Sequence, residues 1–350
     1  MTPRPEAPNE TDPIRGDSIG RVTWSPLSVR GKRAATLLRD DPDQGGTAVI
    51  LAGSSAELSH ALEVAPAGET LQLHAGTFIA PRGGFVVSRS LRLEGTHPLR
   101  NHLRGGSIIE PASPDDHGIV IPDGIENVTL TDLIVRGTQK PGTGDGIHMV
   151  QTRTLGCIEL RNLFVWGCGR DGIHLECTNG SIDWLVVDGC MSSVNGRHGL
   201  FVRHSVGANI RGGFYAHNGR CGMVLDESAA AAIQQLSIEG NQETGPASDY
   251  EPQLWLRGGA GHNVEGCRFE DWARTHGARA GITVENGVGV RIVGCSFVQP
   301  DTAPSRGILF RNKCSACEVG LNTWRRVTRP TDIDTTCTGV EIRDPQAFLD

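Results

Sequence analysis

Apolar and polar residues alternate in short bursts along most of the chain. His117-Gly-Ile-Val-Ile, Asp145-Gly-Ile-His-Met, Asp171-Gly-Ile-His-Leu and His198-Gly-Leu-Phe-Val share one pattern. It returns at Cys221-Gly-Met-Val-Leu, Ala280-Gly-Ile-Thr-Val, Arg306-Gly-Ile-Leu-Phe and Thr338-Gly-Val-Glu-Ile. The glycines of these bursts follow one another at intervals of 23 to 32 residues, except for one interval of 59. That gap spans two periods, and Gln253-Leu-Trp-Leu sits where the missing copy falls. Between the bursts lie second short segments such as Val128-Thr-Leu-Thr, Ile158-Glu-Leu-Arg, Ile182-Asp-Trp-Leu and Val290-Arg-Ile-Val. Each has the period of two that marks a strand with one buried face, and Gly, Asn and Asp supply turns at their ends. Helical periodicity is nearly absent. The exception is Ser54-Ser-Ala-Glu57, a capping-box pattern that opens a short helix over Leu58–Leu62.

Strands this short cannot bury their own apolar faces, so each set must stack on its neighbours as a solenoid. The Leu-x-x-Leu-x-Leu frame of leucine-rich repeats is missing, and a propeller blade needs about 40 residues or more. The pattern therefore predicts an all-β, single-stranded parallel β-helix of about ten coils over residues 49–343, its open end covered by the short N-terminal helix. Residues 1–48, rich in Pro, Asp and Arg, are expected to form a flexible or loosely docked arm. Residues 344–350 are expected to form a C-terminal tail.

The segment Ala67-Gly-Glu-Thr-Leu-Gln-Leu-His-Ala-Gly-Thr-Phe78 resembles the entry to the first coil of right-handed parallel β-helix, pectate-lyase-like proteins. Leu91-Arg-Leu-Glu-Gly95 resembles their next strand, and the Asp-Gly-Ile-His copies resemble their repeat. The resemblance covers about residues 50–343 and implies a right-handed coil. It does not single out a reaction, because that superfamily includes lyases, hydrolases, epimerases and phage tailspikes.

Composition narrows the partners. The chain has 350 residues, a formal charge of −7, 46 glycines and only 5% aromatic residues. Lys32, Lys140 and Lys313 are its only lysines. Scattered arginines with negative net charge argue against nucleic acid. No apolar run approaches the roughly 18 residues of a membrane span, so no membrane partner is expected. No secretion signal is visible near the start, which makes a cytoplasmic location the expectation. Ten cysteines occur singly, apart from Cys314 and Cys317 in one isolated C-x-x-C. They are expected to be reduced and mostly buried as small apolar residues.

Strand parity then selects the candidate site. The residues one and three after each repeat glycine, such as Ile147/Met149 and Ile173/Leu175, must point inward. Those two and four after it point outward, and coils stack about 4.8 Å apart. His148 is thus expected beside His174, Glu176 beside Arg203, and Arg203 beside Asp226. These five are the candidate catalytic residues. The turn positions Asp145, Asp171 and His198, with Phe201 and Tyr250, are the candidate substrate-binding residues. Asp before Gly is also favoured simply as a turn residue, and Glu176–Arg203–Asp226 is equally an ordinary charge ladder. No metal or cofactor is assigned; a metal at the histidines would need a third ligand such as Glu176.

Imidazoles beside carboxylates suit proton transfer near neutrality, and an arginine between acids can hold a carboxylate. The leading expectation is a carbohydrate-active enzyme: a lyase or epimerase on a uronate-type sugar, or a glycoside hydrolase using Glu176 and Asp226. One alternative is an intracellular isomerase, dehydratase or cyclase acting on a small molecule. The other is a non-catalytic phage or surface fibre protein, for which a homo-oligomer would be natural. The expected partner is accordingly a glycan or a small-molecule substrate.

Overall fold

The computed structural model describes residues 36–38, 49–96, 105–241, 252–270, 280–300, 305–343 and 348–349. They form a parallel β-solenoid, all-β apart from one helix. Three long sheets of 13, 11 and 10 strands run the length of the coil. Strand n of each sheet pairs in parallel with the equivalent strand of the next coil, so each sheet takes one strand per turn. Near the N-terminal end, Thr36–Leu38 pairs antiparallel with Val49–Ala52, which places part of the expected arm against the first sheet. Within the expected tail, Phe348–Leu349 pairs with Thr323–Arg325 and continues the second sheet.

The helix Ser55–Val64 forms where the capping box predicts it. The Ser54 hydroxyl accepts from the Glu57 backbone N–H at 3.3 Å, and the Glu57 carboxylate accepts from the Gly53 N–H at 2.8 Å. Leu58, Ala61 and Leu62 are buried, so the helix lays its apolar face on the first coil.

The core follows the expected parity. Ile147, Met149, Ile173, Leu175, Leu200, Val202, Met223 and Leu225 are fully buried. Leu254–Arg257 fills the rung that the long glycine interval left open. The repeat glycines are demanded by space: a Cβ on Gly172 would lie 2.0 Å from Ser192 Oγ and 2.8 Å from Gly199 O. None of the ten cysteines is in a disulfide, and only Cys157 and Cys337 are partly exposed. Several buried thiols donate to backbone carbonyls, as Cys190 Sγ does to Leu160 O. Deeper in the coil, Phe269, Phe297 and Trp324 stack at 5.0 and 4.5 Å.

The ten-stranded sheet carries the candidate site. Its consecutive strands Ile147–Gln151, Ile173–Cys177, Leu200–Arg203 and Met223–Asp226 pair in the register expected from sequence. His148 faces His174, His174 faces Phe201, Glu176 faces Arg203, and Arg203 faces Asp226.

Candidate active site

Two Asp-Gly-Ile-His segments on neighbouring rungs place the same pair of groups twice. His148 Nδ1 lies 2.8 Å from Asp145 Oδ2, and His174 Nδ1 lies 2.9 Å from Asp171 Oδ2. A carboxylate accepts only, so Nδ1 of each ring carries the hydrogen. Nε2 is then the basic nitrogen of the neutral ring. The rings stack at 5.5 Å, 17° from parallel.

Asp145 and Asp171, candidates for binding substrate, are fully buried. Their oxygens are spent inside the protein. Arg170 donates through Nε and Nη2 to Asp145, and Arg197 does the same to Asp171. Asp145 Oδ1 also accepts the Asp171 backbone N–H, and Asp171 Oδ1 that of His198, each at 3.0 Å. Burial alone would push both carboxyls up. For Asp145 the His148 hydrogen bond and Arg170 outweigh it, and for Asp171 Arg197 and His174 do so, holding both below the usual carboxylate range. They stay ionised and orient the imidazoles.

The two dyads differ in what meets Nε2. For His174, only 6% exposed, it is Glu176 Oε2 at 3.3 Å, while Glu176 Oε1 takes Arg203 Nη1 at 3.2 Å. Nε2 of His174 and Oε2 of Glu176 are thus close enough to share a proton and pass it on. His148 is 23% exposed, and its Nε2 makes no hydrogen bond among the described residues. It is a tautomer-fixed base open to solvent.

The other expected residues are placed differently. Asp226 is almost fully buried, gripped by Arg257 at 2.7 and 2.5 Å with Arg203 Nε at 3.5 Å. Both carboxylate oxygens are thereby committed to guanidinium groups, which weakens a hydrolase reading built on it. His198 is buried; its Nδ1 accepts from the Cys221 N–H, and burial pushes its pKa down to about 3. It supports Phe201 from below, with ring centroids 6.0 Å apart. Phe201 is half-buried, stacks on His174 at 4.8 Å and lies under the Arg197 guanidinium at 5.5 Å. Tyr250 lies outside the described residues.

Three groups are not singled out by strand parity. Two of them, Arg170 and Arg197, flank the dyads, each about a third exposed, and Arg220 holds the same position one coil further on. Their signal in the sequence is a Gly-Arg before three successive repeat glycines: Gly169-Arg170-Asp171-Gly, Gly196-Arg197-His198-Gly and Gly219-Arg220-Cys221-Gly. An internal ladder of Asn195, Asn218 and Asn241 fixes these turns, each amide oxygen accepting a backbone N–H of the preceding coil. The third group is His117, whose ring stacks on His148 at 4.1 Å, 14° from parallel.

His117, Asp145 and His148 bring three potential metal donors within 4.8 Å of one another, as do Asp145, Asp171 and His174. Neither set suits a cation. Arg170 and Arg197 already neutralise the carboxylates, and Nδ1 of His148 and of His174 carries a hydrogen. Elsewhere, a shallow apolar recess lined by Ser59, Leu62, Pro81 and Phe85 has Glu63 as its one ionisable lining residue and offers no acid–base pair.

Fold and site together define a parallel β-solenoid with a dense acid–base cluster on one outer face. The family described as right-handed beta helix region matches residues 145–324, and the chain belongs to it. No curated protein matches the sequence. Among solved structures the chain is similar to the A-module of the Azotobacter vinelandii mannuronan C-5 epimerase AlgE6. The identity is 17% and the TM-score 0.52, over 83% of this chain and 96% of that one. It is also similar to the enzymatically active domain of bacteriophage CBA120 tailspike protein 2, with 14% identity and TM-score 0.56, over 77% and 40% of the two chains. ORF18 of Geobacillus virus E2 aligns with 11% identity and TM-score 0.58, over 83% and 56%. At such identities the likeness is one of fold.

Proposed function

We propose that the protein is a carbohydrate-active lyase that cleaves a uronate-containing glycan by β-elimination. The observation that carries this reading is the Asp145–His148 dyad, with its basic Nε2 unpartnered and reachable, beside a His174–Glu176 contact able to share a proton. His148 Nε2 takes the proton from the carbon next to the sugar carboxyl. The electron pair left behind forms the new double bond as the glycosidic C–O bond breaks, and the His174–Glu176 proton goes to the departing oxygen. Arg170, on Asp145 beside His148, offers its remaining N–H groups to the substrate carboxylate, while Arg203 holds Glu176.

Geometry favours elimination over epimerisation. Both imidazoles direct Nδ1 at an aspartate of their own turn, so their Nε2 atoms point the same way from nearly parallel rings. Nε2 of His148, and Glu176 closing over Nε2 of His174, therefore face one side of a bound sugar ring. Inverting a carbon needs a base on one face and an acid on the other, whereas a syn elimination needs both on the same face.

The test is incubation of the protein with mannuronate, guluronate and galacturonate polymers in heavy water, reading ultraviolet absorbance of unsaturated product together with deuterium uptake. Expected is unsaturated product that His148→Ala and His174→Ala both abolish while their circular dichroism matches wild type. Deuterium uptake without chain cleavage would replace the lyase by an epimerase. Silence with every polymer would sink the reading.

A further inference from the structure

His117 opens the column that His148 and His174 continue, yet its ring is held the other way round. The backbone N–H of Asp145 donates to His117 Nδ1 at 3.0 Å, so Nδ1 is the acceptor and the hydrogen of the neutral ring sits on Nε2. In His148 the hydrogen sits on Nδ1 and Nε2 is bare. Both rings turn Nδ1 toward Asp145 and lie 4.1 Å apart, almost parallel. Their Nε2 atoms therefore emerge side by side on the far edge of the stack, one a donor and one an acceptor. The His117 side chain is 22% exposed, and its Nε2 makes no hydrogen bond among the described residues.

Resting on the lyase reading, we infer that His117 is a further catalytic residue, a neutral hydrogen-bond donor to the substrate carboxyl whose neighbouring carbon loses its proton to His148. When the carbon–hydrogen electrons move toward the carboxyl group, negative charge grows on its oxygens. A fixed donor aimed there stabilises the transition state more than the ground state. A neutral imidazole suits this task, since it cannot surrender a full proton to the adjacent base. Its surroundings keep it neutral: burial, then the His148 ring, push its pKa down to about 4, against the pull of Asp145, while Arg170 and His174 also disfavour a charge.

Two substitutions separate this role from a structural one. His117→Asn keeps an acceptor near Nδ1 for the Asp145 N–H but removes the outer donor. His117→Gln restores a donor near Nε2 and loses the inner acceptor. A catalytic donor predicts that His117→Asn lowers kcat by about 100- to 1,000-fold with KM nearly unchanged, and that His117→Gln recovers to within about tenfold of wild type. The opposite ranking, or equal losses in both, would show that His117 serves only the Asp145 turn. Nitrogen NMR of the wild-type histidines gives a readout that needs no turnover. The His117 hydrogen is expected on Nε2 at neutral pH, with its resonance shifting when a short uronate oligomer is added. A hydrogen on Nδ1, or no shift with any oligomer, overturns the inference. An inactive wild type whose His117 signal still shifts would instead overturn the lyase reading and leave the donor in place.

Discussion

An aspartate three residues before a histidine has a defined use in this coil. The aspartate occupies the turn and faces inward, and the strand that follows carries the imidazole back over it at hydrogen-bond distance. Asp145 is therefore a positioning residue: it selects which nitrogen of His148 is basic and keeps Arg170 in place. Asp145→Asn preserves the shape but can present its amide N–H to Nδ1, leaving the other nitrogen protonated. The expected result is a fall in kcat of about 100- to 10,000-fold with KM changed only a few-fold. Steady-state kinetics on whichever uronate polymer is cleaved checks it, and an unchanged kcat would remove the dyad from the chemistry.

At the scale of the strand, register does the assembling. Each rung contributes one residue to each column, so residues about 26 positions apart become neighbours and residues two apart share a face. The repeat glycine makes this possible where the turn of one coil packs on the next. Gly172→Ala would drive a methyl group into Ser192 Oγ and the Gly199 carbonyl, at a cost of about 1–3 kcal/mol. Denaturant unfolding should show the lower midpoint, and an unchanged midpoint would mean that the coil spacing is softer than the contacts imply. The same register makes much of the site legible in the sequence. His148 beside His174, and the Glu176–Arg203–Asp226 ladder, follow from counting outward from the glycines. Arg170, Arg197 and His117 are not legible in that way because they lie at or before the turn, where the period of two no longer says which way a side chain points.

Across the whole molecule, stability is tied to pH by histidines that are neutral in the fold. Burial pushes His117 down to about 4, His198 to about 3 and His262 to about 4 from an ordinary 6.5. Below pH 6.5 the unfolded chain binds protons that the folded chain refuses, so stability falls as pH drops from 6.5 toward 4. The lowered carboxyls of Asp145 and Asp171 act in the same direction lower down: their contribution is full above pH 3.8 and lost as pH falls below it. Each histidine is worth on the order of a few kcal/mol at most. Calorimetry should show Tm declining steadily between pH 6.5 and 4, with a shallower slope in His198→Asn. A flat Tm over that range would mean the imidazoles are solvated.

The sequence by itself determined the solenoid, the capping helix, the strand parity and the outward columns, because each rests on local periodicity and on a coil that must repeat to bury its apolar face. It could not determine which histidine stands open, which carboxylates are sealed, or which nitrogen carries the hydrogen. Those depend on contacts across coils: Arg170 and Arg197 reaching back to the aspartates of the preceding turn, Glu176 closing over His174, and the Asp145 N–H reversing the tautomer of His117. Side chains of equal chemistry in equal register acquire different states only when the third dimension gives them different neighbours.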